Sequence, residues 1–228
     1  MDLVTMALLL PMAAGPHDGW VHPAGLIDRA TLSEVRHKRD TQDWARNILD
    51  GLDQGVQPWL NEPRARLEAL MPRRRMGVYW LLLCPECGRQ LRFDPFDDRQ
   101  ATCAVCGKTY PLTQQSTAAP PGSRYAGTLY DGWGCYYLQH VARTAQELAF
   151  LHALGADRSY ALRADDVLRL FARRTKHLPV EGSGPFRMIW TYAYEGDYGL
   201  LTSLVTAYEL LRDVDGLLTA EDLSLIHI

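Results

Sequence analysis

Apolar positions along the chain follow helical periods over most of its length. Thr31-Leu32-Ser33-Glu34 has the form of a capping box, and Leu32, Val35, Trp44 and Ile48 recur behind it at roughly helical spacing. The pattern predicts a helix from about Leu32 to Leu52, ended by Gly51 and Gly55. Asn61-Glu62-Pro63 reads as a cap with proline in the first turn of a second helix that stops before Pro72. From Asp131, the residues Trp133, Tyr137, Val141, Ala145, Leu148 and Leu151 form one stripe, with Gly155 as the stop. A further helix is expected over Arg158 to His177, turning Leu162, Val167, Leu170 and Phe171 to the core and closing on the basic cluster Arg173, Arg174, Lys176 and His177. Gly199 to Asp213 forms another, with Leu200, Leu204, Tyr208 and Leu211 on one face, and Thr219 to Asp222 looks like the cap of one more.

Two stretches break the helical texture. Val78 to Leu83 (VYWLLL) is a short continuous β-prone run that suits a buried strand. Leu91-Arg92-Phe93, the turn-rich Asp94 to Asp98, and Thr109-Tyr110 suggest a small hairpin with a returning strand. TQQSTAAPPGSR (113–124) has no apolar period and reads as a connection. The expected organisation is an N-terminal helical arm (1–77), a cysteine module (78–113) and a domain of helical hairpins (125–228). Helices joined by short links without intervening strands point to a mainly α architecture rather than an α/β sheet.

Composition narrows the picture. The chain has 228 residues, 47% of them apolar, and a net charge of −3 with the two signs interspersed. Apart from Arg73, Arg74 and Arg75 there is no basic stripe, so nucleic acid is a poor partner. No stretch reaches the ~18 apolar residues of a membrane span, and a soluble protein is expected. At the N-terminus, Leu3 to Ala14 (LVTMALLLPMAA) has the length of a signal core, yet only Asp2 precedes it and Pro11 interrupts it. A cleavable signal and a buried first segment both remain open. Localisation follows that choice: periplasmic or secreted in the first case, cytoplasmic in the second.

Four of the five cysteines fall in two CxxC pairs, Cys84/Cys87 and Cys103/Cys106, with fifteen residues between them. That is the spacing of a four-thiolate zinc site of the ribbon type, and Gly88 and Gly107 stand where such a turn needs a positive φ. Four thiolates close the coordination sphere, so the expected zinc is structural rather than catalytic. Cys135 stands apart and suits helix packing.

Trp133, Tyr136, Tyr137 and His140 crowd one helix start, while Arg187, Trp190, Tyr192, Tyr194 and Glu195 crowd one stretch of 179–198 read as a loop. Rings, a guanidinium and a carboxylate suit an acidic sugar, held by stacking and bidentate hydrogen bonds. Trp133, Arg187, Trp190, Tyr194 and Glu195 are the candidate substrate contacts. Aromatic residues at helical spacing are also what a core contains, and His140 suits a structural histidine. No GxSxG, HExxH, Walker-type loop or dinucleotide fingerprint occurs.

The order of features resembles the heparinase II/III-like family of polysaccharide lyases. The resemblance rests on HPAGLIDRATLSEVRHKRDTQDWA (22–45), the cysteine module with RFDPFDD (92–98), RYAGTLYDGWG (124–134) and TYAYEGDYGLL (191–201). It implies the start of an incomplete (α/α) toroid and β-elimination of an acidic, uronate-containing polysaccharide. In that reaction the carboxylate is neutralised, a Tyr or His takes the C5 proton and a tyrosine protonates the leaving oxygen. No Asn-His segment matching the family's occurs before Ile228, so no catalytic residue is carried over. The closing LSLIHI resembles translated sequencing-adapter sequence, and the protein is expected to continue beyond about Asp222. A carbohydrate- or protein-binding helical module is the alternative reading.

Overall fold

A computed structural model describes residues 27–77, 81–113, 127–178, 190–191 and 194–217, without the side chains of 194–196. These residues form six helices and one two-stranded sheet: α1 Arg29–Thr41, α2 Asp43–Asn61, α3 Arg64–Leu70, β1 Gln100–Thr102, β2 Thr109–Pro111, α4 Leu129–Ala153, α5 Arg158–Thr175 and α6 Tyr194–Leu211. The protein is mainly helical.

The single helix expected over Leu32–Leu52 is two. Asp28, not Thr31, caps the first, its Oδ1 accepting the Thr31 N–H at 2.7 Å. The chain then breaks at Gln42, whose backbone is extended. The reason lies in phase: at 100° per residue the buried positions of α2 (Ala45, Leu49, Val56, Trp59) sit about 100° around the axis from Leu32 and Val35, so one straight helix cannot bury both sets. Gly51 and Gly55 do not end α2. Each costs about 1 kcal/mol relative to alanine, which burying Val56 and Trp59 on the next turns outweighs, and the helix stops only at Glu62, before Pro63. Trp44 and Ile48, expected inside, are 56% and 55% exposed, and Leu162 is also exposed.

α4 is the centre of the molecule. Thr128 and Asp131 form a full capping box, and Trp133, Tyr137, Val141, Ala145, Leu148 and Leu151 are all buried as their period predicts. Gly155 at φ 108° closes it, and α5 begins after the four-residue turn 154–157. α5 and α6 both pack on α4, and α2 lies against α4 and α5. α6 starts earlier than Gly199, because Asp197 accepts the N–H groups of Trp190 and Thr191 and the Thr191 hydroxyl, fixing the entry to the helix.

Before the cysteines, Pro72 and Met76 lie over Gly134 of α4, and Leu81 and Leu82 over Gly132. Met76 donates its N–H to the Trp190 carbonyl at 2.9 Å. Leu81 and Leu82 are buried, but Leu83 makes only an isolated antiparallel bridge to Gln90, and 78–80, the start of the expected strand, lie outside the described residues. The regular sheet also differs from expectation: β1 pairs antiparallel with β2 in the register Ala101 opposite Tyr110, while Leu91 contributes one bridge to Cys103. One continuous apolar core joins the arm, the cysteine module and the hairpins. Among the described residues no helix is long and apolar enough to cross a membrane. The linker 114–124 and the cap expected at Thr219–Asp222 lie outside the described residues.

Candidate metal centre

The two CxxC turns are built alike. Cys84 donates its N–H to the Arg89 carbonyl and accepts from Gly88, at 2.7 and 2.9 Å; Cys103 does the same with Lys108 and Gly107, at 2.8 and 3.0 Å. Both turns close on a glycine with positive φ, 63° at Gly88 and 72° at Gly107, a conformation that a Cβ disfavours. Strands β1 and β2 flank the second turn, and the stretch after the first turn reaches it through the Arg92 N–H, which donates to the Thr102 carbonyl at 2.9 Å.

The four sulfurs converge to within 4.8 Å of one another. Cys84 Sγ lies 3.6 Å from Cys106 Sγ and Cys87 Sγ lies 3.4 Å from Cys103 Sγ. Thiolates bound to one zinc at ~2.3 Å in a tetrahedron stand about 3.8 Å apart, so the arrangement is compatible with a metal such as zinc. Among the described residues no other set of three or more His, Cys, Asp or Glu side chains converges in this way. Cys135 is buried in α4.

Charge within the cluster is uneven. Burial opposes ionisation of Cys84, but hydrogen bonds from the Tyr110 hydroxyl and from the backbone of Cys87 and Glu86 outweigh it and bring the thiol down to about 6. Cys103 is lowered chiefly by the backbone of Cys106. Cys87 goes the other way: the Arg89 backbone favours its thiolate, yet the sulfurs of Cys84 and Cys103 push it up to about 12. Cys106 is likewise raised, against the pull of the Lys108 backbone, by burial and by Cys103. Cys84 and Cys103 are thus shifted towards the thiolate, and the sulfurs they face, Cys106 and Cys87, towards the thiol. Tyr110 Oη stands 3.3 Å from Cys84 Sγ, and an ion pair between Glu86 and Lys108 ties the first turn to the second. None of these three supporting residues is visible as such in the spacing of the cysteines.

The module is fastened to the helices by RFDPFDD. Phe93 packs against Tyr136 and His140, with ring centroids 5.5 and 4.8 Å apart, and Phe96 lies 4.7 Å from Trp59. Gln90 donates to the Tyr136 hydroxyl at 2.6 Å, and Arg66 to the Phe96 carbonyl at 2.9 Å. His140 is a packing residue, its imidazole kept below the usual range by burial and by Arg143.

Two of the candidate substrate contacts, Trp133 and Trp190, are buried. Trp133 has no exposed area, is stacked on Tyr137 at 5.0 Å, and donates its indole N–H to the Asp94 carbonyl at 2.8 Å. Trp190 is 3% exposed and meets Phe171 edge-on at 5.1 Å. Both rings pack in the core rather than standing on the surface where a sugar would stack. Arg187 and Tyr192 lie outside the described residues. Tyr194 and Glu195 fall in the first turn of α6 rather than in a loop, and their side chains are likewise outside the description.

No family model, curated protein or solved structure matches this chain.

Proposed function

We propose that Cys84, Cys87, Cys103 and Cys106 hold one structural zinc ion in a ribbon-type module, and that this module braces the first hairpins of an (α/α) toroid belonging to a polysaccharide lyase. The convergence of four sulfurs within 4.8 Å carries the first half. Zinc would supply two positive charges at the centre, which favour the thiolate at all four sulfurs. With four protein ligands the ion has no position for water, which makes its role structural.

The second half rests on the resemblance to the heparinase II/III-like family, supported by the hairpin of α4 and α5 with α6 packed beside them. On this reading the substrate is an acidic polysaccharide cleaved by β-elimination: the C5 proton leaves, the C4–O bond breaks and a C4–C5 double bond forms. With Trp133 and Trp190 buried, contacts to the uronate fall to Arg187, Tyr194 and Glu195, the guanidinium pairing with the carboxylate. Unsaturated uronate absorbs in the ultraviolet, so intact protein incubated with a panel of uronate polymers gives the test. Rising absorbance on at least one polymer is expected; folded, metal-loaded protein that binds glycan saturably without turnover, or does nothing on any polymer, overturns the lyase reading.

A further inference from the structure

Helix α2 carries an exposed face that nothing among the described residues accounts for. Trp44 and Ile48 are 56% and 55% exposed. Gly51 and Gly55 share their side of the helix, all four within about 60° of arc, and Asn47 and Gln54 extend it without charge. A Cβ added at Gly51 or Gly55 would meet nothing within 4 Å, and neither has the positive φ that requires glycine. Two glycines in mid-helix weaken it, and no close neighbour among the described residues calls for them. Glycines four apart on an apolar face allow another backbone to approach closely.

We propose that Leu3–Ala14 of this same chain packs on the α2 face made by Trp44, Ile48, Gly51 and Gly55. Those twelve residues carry no charge and are mostly apolar, so they match a face equally free of charge. The connection also reaches: residues 15–26 can extend roughly 40 Å, and α2 is about 28 Å long. The stripe from Trp44 to Gly55 covers about 16 Å of helix, within the compass of a twelve-residue segment. The proposal is independent of the zinc site.

The test uses the intact chain throughout. On a bare face, replacing both glycines (Gly51→Ala with Gly55→Ala) raises the melting temperature by about 4–8 °C through helix propensity alone. On a face covered closely by Leu3–Ala14 the pair gives no rise or a fall, and Leu8→Asp by itself lowers the melting temperature. With Leu8→Asp present, the alanine pair regains its stabilising effect. An equal response to the alanine pair with and without Leu8→Asp overturns the proposal. So does an intact mass showing that residues 1–14 have been removed, as for a signal peptide, or a dimer in light scattering that Ile48→Asp converts to monomer.

Discussion

Gly132 sits where the segment before the cysteines crosses α4. A Cβ built there would stand 2.4 Å from the Leu82 nitrogen and 2.8 Å from the Leu81 carbonyl carbon, both backbone atoms with no rotamer to give way. Gly134 meets the Met76 sulfur instead, the flexible end of a side chain, and is the more forgiving of the two. Gly132→Ala is therefore expected to cost about 1–3 kcal/mol, read as a lower urea midpoint at unchanged slope. An unchanged midpoint would show that the crossing is not in contact. The same residue shows a limit of sequence reading. The stripe through Trp133 and Tyr137 is legible because burial repeats every three to four residues. The reason for Gly132 is not, because what crosses it comes from fifty residues earlier and leaves no local pattern. The convergence of Cys84, Cys87, Cys103 and Cys106 is legible, since two tight turns and their glycines are local chemistry.

Among the elements, helix ends are held by arginines from elsewhere. Arg163 of α5 donates to the Leu60 and Glu62 carbonyls at the end of α2, at 3.0 and 2.8 Å, with its side chain 14% exposed. Arg36 and Arg39 of α1 donate to the Ala153 and Leu154 carbonyls at the end of α4, at 2.5 and 2.9 Å. The last carbonyls of a helix lack intrahelical partners, and a guanidinium satisfies two while meeting the negative end of the dipole. Arg163→Ala should lower stability by about 1.5–3 kcal/mol in chemical denaturation, and a loss below about 0.5 kcal/mol would place the clamp among idle surface contacts. Such clamps join distant segments, so the sequence shows only an arginine on a helix. The break at Gln42 is a subtler case: the offset between the two apolar stripes is present in the sequence, but a capping box and a helical spacing of sorts across it argued for one continuous helix. The start of α6 differs for a related reason: the aromatic stretch up to Tyr198 reads as a loop with a helix from Gly199, while the Asp197 carboxylate, accepting the N–H groups of Trp190 and Thr191, fixes the chain where the helix enters.

At the scale of the whole molecule, the cysteine module has little core of its own. Leu81, Leu82, Cys84, Leu91, Ala101, Cys103 and Leu112 are its buried apolar members, and among the described residues two strands of three residues are its only sheet. A unit of this size is marginal without a metal, which is why its sulfurs and its docking rings belong to one argument. Phe93 against His140 and Phe96 against Trp59 bind the module to α4 and α2, so loosening the sulfurs should be felt in the helices. That the module would be helical protein's minor partner was readable from spacing and period; that it shares one continuous core with the arm and the hairpins was not, because ring pairs between remote segments have no period. The most direct measurement is zinc per chain and melting temperature, taken together on intact wild-type protein and on Cys84→Ser. One zinc per chain, lost in the variant along with a clear fall in melting temperature, is the predicted result; a Cys84→Ser protein with full zinc and an unchanged melting temperature would contradict it.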